Sequence, residues 1–147
     1  MPTFTAATTQ SSGTGSAAAY VTLNTTSARR ALIREVGVFN GAATSSSVGM
    51  GTPANTPATS ATVTPVAHDL ADASATALLG TAWGTAPTAP TVFQRQTILG
   101  AAVGAGTIWK LALDERIIIA KSAWNVLWNF GAATSSANMA FYYEYDE

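Results

Sequence analysis

Trp124-Asn125-Val126-Leu127-Trp128-Asn129-Phe130 and Met139-Ala140-Phe141-Tyr142-Tyr143-Glu144-Tyr145 decide how this chain is read. In the first stretch Trp124, Val126, Trp128 and Phe130 alternate against Asn125, Leu127 and Asn129. In the second, Met139, Phe141, Tyr143 and Tyr145 alternate against Ala140, Tyr142 and Glu144. Large side chains at every second residue share one face of a β-strand, whereas a helix would scatter them around its axis. Both read as half-buried antiparallel strands. Working outward, residues 92–99, 107–113 and 116–120 give further strands joined by short turns. Upstream, residues 20–23, 31–39 and 48–51 follow the same rule. In the longest of these, Leu32, Val36 and Val38 fall on one face and Ile33 and Phe39 on the other, as a central strand requires. This predicts an all-β fold, an antiparallel β-sandwich that is jelly-roll-like.

Two segments depart from the pattern. Residues 1–18 are low in complexity, dominated by Thr, Ala, Ser and Gly, with Phe4 as apolar anchor. Alone they bury too little area to offset the entropy of ordering, so they read as an extended N-terminal arm. Residues 19–147 then form a single domain. Within it, residues 52–91 hold Pro53, Pro57, Pro65, Pro87 and Pro90. Proline removes a ladder donor, so this stretch is expected to be a long loop excursion with an edge strand near residues 61–66. A short helix over residues 69–79, capped by Asp69 and closed by Gly80, is also expected there. An internal echo links the two halves. Phe39-Asn40-Gly41-Ala42-Ala43-Thr44-Ser45-Ser46 recurs as Asn129-Phe130-Gly131-Ala132-Ala133-Thr134-Ser135-Ser136. Two readings stand: a pair of similar hairpin turns, or two related halves with both loops at one end of the sandwich.

Composition narrows the function. Only 10% of the 147 residues are charged, against roughly 25% in ordinary soluble domains. There is one histidine and no cysteine, and the formal net charge is −1. Nucleic-acid binding needs clustered cations to displace phosphate counterions, and the only basic pair is Arg29-Arg30, with Arg34 nearby. Residues 98–109, the least polar run, are too short to span a bilayer. The first residues show neither a basic start nor an apolar run, so no secretory leader is expected and the Asn24-Thr25-Thr26 sequon goes unused. The lack of cysteine suits synthesis in a reducing cytoplasm.

Candidate chemistry is sparse. His68-Asp69 could belong to a Ser–His–Asp triad, but no G-x-S-x-G elbow accompanies it, and a solvated loop histidine is the expectation. Asp114-Glu115 sit at a hairpin tip, and Asp69 and Asp72 share a loop. Glu144, Asp146 and Glu147 read as a solubilising acidic edge. None of these presents two carboxylates held for glycoside hydrolysis. One histidine without cysteine or a D-x-D-x-D-G loop offers no metal site, and no cofactor is expected. Gly100-Ala101-Ala102-Val103-Gly104-Ala105-Gly106 lacks the Lys-Ser/Thr of a P-loop and reads as a flexible turn. Trp124 and Trp128 are expected in the core. Trp83, set between Ala82 and Gly84, either folds back over the sandwich or anchors a neighbouring subunit.

Several stretches resemble small structural proteins of tailed-bacteriophage virions: Leu32-Ile33-Arg34-Glu35-Val36-Gly37-Val38-Phe39-Asn40, Gly51-Thr52-Pro53-Ala54-Asn55-Thr56-Pro57, Ala82-Trp83 with Pro87 and Pro90, Phe93-Gln94-Arg95, Ile108-Trp109 and Val126-Leu127-Trp128-Asn129. The likeness is one of texture and order over most of residues 30–147, and is greatest to capsid decoration (cement) proteins. It carries no diagnostic motif and no functional residue. It implies a homotrimer on the outer capsid surface of a virion assembled in the host cytoplasm, with the major capsid protein as partner. It implies no nucleic acid, membrane or small-molecule ligand and no enzyme activity. Phe4, Tyr20, Arg29, Arg30 and Trp83 are the candidate subunit or capsid contacts. Another virion part (tail, neck or fibre-associated) and a carbohydrate- or receptor-binding jelly roll that exposes Trp83 stay open beside it.

Overall fold

A computed structural model describes residues 1–11, 18–130 and 138–147. Among them there is no helix. The strands are β1 (Thr3–Ser11), β2 (Ala18–Asn24), β3 (Ala31–Asn40), β4 (Ser46–Gly51), β5 (Ala58–Val63), β6 (Val66–Ala67), β7 (Leu78–Thr85), β8 (Arg95–Leu99), β9 (Gly106–Lys110), β10 (Ile117–Ile119), β11 (Trp124–Asn129) and β12 (Asn138–Asp146). They form two six-stranded sheets, with antiparallel pairing throughout. The first runs β10-β3-β12-β1-β6, with β9 also on β3, and the second runs β5-β7-β2-β11-β4-β8.

The alternation expected for β12 is met. Met139, Phe141, Tyr143 and Tyr145 are all buried, and they face the second sheet across the main core. Tyr20 packs on Phe141 at 5.2 Å between ring centroids, and Phe4 stacks on Tyr145 at 5.7 Å. Phe4 sits on β1, which pairs with β12 from Thr3 opposite Asp146 to Ser11 opposite Asn138. Residues 3–11 are therefore an inner strand of this chain's own sheet, which corrects the reading of an arm lying outside the domain. Residues 12–17, the rest of that segment, lie outside the described residues. Thr and Ala are adequate strand residues once a partner strand is in place, and Phe4 with Ala6 supplies a buried face.

Two register shifts redirect side chains. In β3, Glu35 pairs with Glu144 but Ile33 pairs with Tyr145, so Arg34 is an extra residue. A bulge of this kind flips the phase of alternation. Ala31 and Ile33 thereby join Val36 and Val38 in the core, while Leu32 and Phe39 remain half-exposed. This corrects the face assignment that placed Leu32 with Val36 and Val38. A second shift in the β2–β11 pairing sets Trp128 opposite Ala19 and Leu127 opposite Val21.

β11 is covered on both faces, not one. Leu127 belongs to the core between the sheets, whereas Val126 and Trp128 form a second core on the outer face of their sheet. The proline-rich stretch makes that second core possible. Segments 52–57 and 86–94 are stitched together by Ala54 N to Thr88 O (2.9 Å), Asn55 Nδ2 to Ala86 O (2.9 Å) and Thr88 N to Asn55 Oδ1 (2.7 Å). From them Ala89 and Phe93 cover Trp128, the latter edge-on at 5.6 Å. The excursion expected at residues 52–91 thus holds three strands and a strap. β5 is an edge strand, as expected, but β7 is an inner one. The helix expected over residues 69–79 is replaced by a turn, Asp72 N to Asp69 O at 3.0 Å, followed by β7. Ala77 and Leu79, two residues apart and both fully buried, follow strand spacing.

The strands that lead into the two echoed sequences finish at the same end of the sandwich. β3 of the first sheet leads through residues 41–45 into β4 of the second, and Asn40 lies opposite Met139 and Asn129 opposite Val48. The first copy is a sheet-to-sheet corner and not a hairpin turn. The turn of the second copy, residues 131–137, lies outside the described residues. Phe4→Ala is expected to lower unfolding free energy in urea by about 3–5 kcal/mol. A loss below about 0.5 kcal/mol, the scale of an exposed surface site, would contradict an integral β1.

Candidate functional site

The strap covers the β11 and β4 part of the outer face of the second sheet, and no segment among the described residues covers the aromatic centre of the outer face of the first, so that centre is the place to look for a site. Its centre is built from glycine and aromatic residues in register. Tyr142 on β12 lies opposite Gly37 on β3, and Phe39 on β3 lies opposite Gly106 on β9. A Cβ at Gly37 would run into the Tyr142 ring, and one at Gly106 into the Phe39 ring. Both rings therefore lean the same way across the sheet, each over the glycine of the next strand, like overlapping tiles. Their planes are 21° apart and their centroids 6.4 Å apart.

Glu35 completes this face. Its carboxylate accepts the Tyr142 hydroxyl and pairs with Lys110 Nζ at 3.3 Å. The Tyr142 hydrogen bond, followed by burial acting in the opposite sense and then by Lys110, holds the Glu35 carboxyl below its ordinary range. Burial, followed by the hydrogen bond to Glu35, pushes Tyr142 up to about 12. Beyond the tiles, towards β1, the floor falls to Ala140, Ala7 and Thr9. The result is a groove of about 430 Å³ walled by Phe39 and Tyr142.

Next to this face lies the main cluster of charge. Arg116 Nη1 meets Asp146 Oδ2 at 2.5 Å, and Arg34 Nη1 lies 3.5 Å from Asp146 Oδ1 and 3.9 Å from Glu144. Thr3 donates to Asp146 (2.7 Å) and accepts from Arg34 (3.1 Å). Glu147 accepts from Thr76 N, Thr76 Oγ1 and Ala77 N at 2.5–2.9 Å. Asp146 and Glu147 are thus buried and bonded, on or beside a central strand. That corrects the reading of a solubilising acidic edge; the cause is the two arginines and the loop that face them. Only Glu144 of the three stays half-exposed.

The expected contact residues separate. Phe4 and Tyr20 are each 1% exposed and are core residues of this chain, not surface contacts: Phe4 lies in regular register opposite Tyr145, and the register shift between Ala19 and Val21 turns Tyr20 inward. Arg29 and Arg30 are exposed on the connection between β2 and β3. Trp83 is half-buried and packs against the second core, so it folds back over its own sheet. His68 is exposed, with Nε2 2.6 Å from Thr5 Oγ1. Asp69 instead accepts Ala71 N at 2.9 Å and does not orient His68. Residues 100–106 form a turn pinned by Asn40, whose Nδ2 donates to Gly100 O (2.9 Å) and whose O accepts Gly104 N (2.7 Å). Among the described residues no group of three or more His, Cys, Asp or Glu gathers as a metal site, and no helix is long and apolar enough to cross a membrane.

The Phe39–Tyr142 pair was missed from sequence because cross-strand register cannot be read there. Its only trace is glycine within strong strands, a mark of close approach. No protein-family model, curated protein or solved structure matches this chain.

An NMR titration of the Tyr142 ring is expected to give a midpoint near 12. Glu35→Gln should bring it part of the way towards 10, because burial remains. A folded-state pKa above the unfolded one means that this contribution to stability is complete below about pH 10 and is lost as pH rises through about 12. An unchanged midpoint in Glu35→Gln would refute the coupling.

Proposed function

We propose that this protein is an adhesive structural component of a tailed-phage virion: a capsid decoration protein, jelly-roll-like, that trimerises and bridges capsomers on the outer shell surface. The observation that carries the reading is the edge formed by β8. β8 is the last strand of its sheet and pairs with β4 without a register shift. Ile98 on it is 76% exposed, with Val92 at 80% and Val103 at 70% on the flanking segments. Soluble monomers blunt such edges with charge, proline or bulges, because an open regular ladder invites another chain. The opposite edge, β5, shows that device, with three irregularities in its pairing to β7. At β8 the only charged residue is Arg95. An ion-poor rim with exposed aliphatic side chains suits an interface, where each unpaired ion would have to be desolvated.

Charge is sparse over the whole chain, at 10% of its residues, which leaves much of the surface to Ala, Thr, Ser and scattered aliphatic residues. Symmetry mates around a closed ring would cover the β8 edge, and Arg29-Arg30 offers a polar contact towards the shell. The mechanism is bridging: added interface area must be broken before the shell opens.

Purified shells lacking decoration should bind the protein and rupture at a higher temperature than bare shells. The isolated protein should have the mass of a trimer, and Ile98→Lys should weaken trimer and shell binding by about tenfold or more. A folded monomer that leaves rupture unchanged would remove the proposal.

A further inference from the structure

We infer that the groove on the outer face of the first sheet is a binding site for a neutral saccharide, separate from the surfaces used for assembly. Three observations carry this. First, the wall is a paired π surface: Phe39 and Tyr142 stand 21° from parallel with centroids 6.4 Å apart. They are held in that pose by Gly37 and Gly106, because any side chain there would lift the rings off the sheet. Aromatic faces carry negative quadrupole density and attract the polarised C–H groups of a flat apolar surface. A pyranose ring offers that surface on one face and hydroxyls around its rim.

Second, among the described residues no charged side chain lines the groove. Its floor is Ala7, Ala140 and Thr9, all exposed. Glu35, which accepts the Tyr142 hydroxyl, is paired with Lys110 at 3.3 Å, and Glu144, two residues further along β12, lies 3.9 Å from Arg34. A phosphorylated or acidic ligand would find no counter-ion there. A neutral polyol needs only hydroxyl and backbone partners, and Thr9 lies at the rim. Third, the volume of about 430 Å³ lies within the roughly 300–1,000 Å³ of small-ligand clefts. The groove is open along the sheet, so it suits one or two residues of a longer chain that continues past it. The equivalent face of the other sheet is filled by this chain's own Phe93 against Phe130 and Trp128. An apolar aromatic surface at this position is thus one that the fold covers when it serves only as core.

The test is affinity electrophoresis of the full chain through gels containing a soluble β-glucan, a galactomannan or a dextran. At least one should retard the protein, with little dependence on added salt. Ala140→Arg fills the groove without removing a core side chain and should abolish retardation, while Phe39→Ala should weaken it about tenfold. Thr9→Arg, on the neighbouring strand, gives the same reading should Ala140→Arg fail to fold. Absence of retardation in all three gels would overturn the inference, as would retardation that survives both arginine variants. A change of oligomeric mass in either variant would overturn it as well, by showing the face to be a subunit contact.

Discussion

The ladder that clamps β12 between β1 and β3 is the constraint on which the rest depends. One face of β12 puts Met139, Phe141, Tyr143 and Tyr145 into the space between the sheets. The other face presents Tyr142 over Gly37. Its end places Asp146 between Arg34 and Arg116. Each fully buried aromatic or methionine contributes roughly 1.5–3 kcal/mol of transfer energy, and their shared strand makes the contributions cooperative. The costs fall on the same strand. The Tyr143 hydroxyl reaches Asn125 Oδ1 at 3.2 Å, whereas the Tyr145 hydroxyl is buried with no partner among the described residues. An orphan of that kind costs roughly 1–3 kcal/mol, which the apolar packing around it offsets.

What could be read in the sequence was what depends on local periodicity. The strand at β12, the two-sheet architecture and the edge position near residues 61–66 follow from alternation and proline placement alone. What could not be read depends on pairing at a distance. β1 was invisible because the entropic argument weighs residues 1–18 in isolation, while their partner strand lies at the other end of the chain. One extra residue, Arg34, inverted the faces of β3, and nothing in Leu32-Ile33-Arg34-Glu35-Val36 marks it in advance. The aromatic platform was hidden for the same reason: Gly37 and Gly106 gain meaning only when placed opposite Tyr142 and Phe39.

Ion scarcity has a structural counterpart. Surface ion pairs contribute little to stability, whereas a buried carboxylate stripped of its partner is costly. Two of this chain's carboxylates stand near the second case: Asp146 is 5% exposed and answered by two guanidinium groups and a threonine, and Glu147 is 7% exposed and answered by backbone and hydroxyl donors of residues 76–77. Both tie the end of β12 to its surroundings. The surface is ion-poor because charge is sparse in the chain as a whole, and β8 carries only Arg95 while the tiled face carries the Glu35–Lys110 pair.

The two echoed corners show how one local design gave two different surfaces. The order Phe39-Asn40 is reversed to Asn129-Phe130, which would be a mismatch if the copies shared strand phase. They do not share it. Asn40 and Asn129 are both buried, at 3% and 1% exposure, and both donate from Nδ2, the first to Thr44 O and Gly100 O and the second to the Tyr20 hydroxyl. Phe39 and Phe130 both turn to the outer faces of their sheets. Reversing the pair therefore keeps the polar residue inward and the aromatic outward at each corner. The two phenylalanines differ in what lies above them. Phe130 meets Phe93 from the strap at 4.7 Å, whereas Phe39 meets Tyr142 of its own sheet and is covered by no segment among the described residues. The strap, made of segments 52–57 and 86–94 that connect strands of the second sheet, closes that side. An aromatic pair fixed by glycines on the side left open is thus a consequence of the same topology that buried its counterpart.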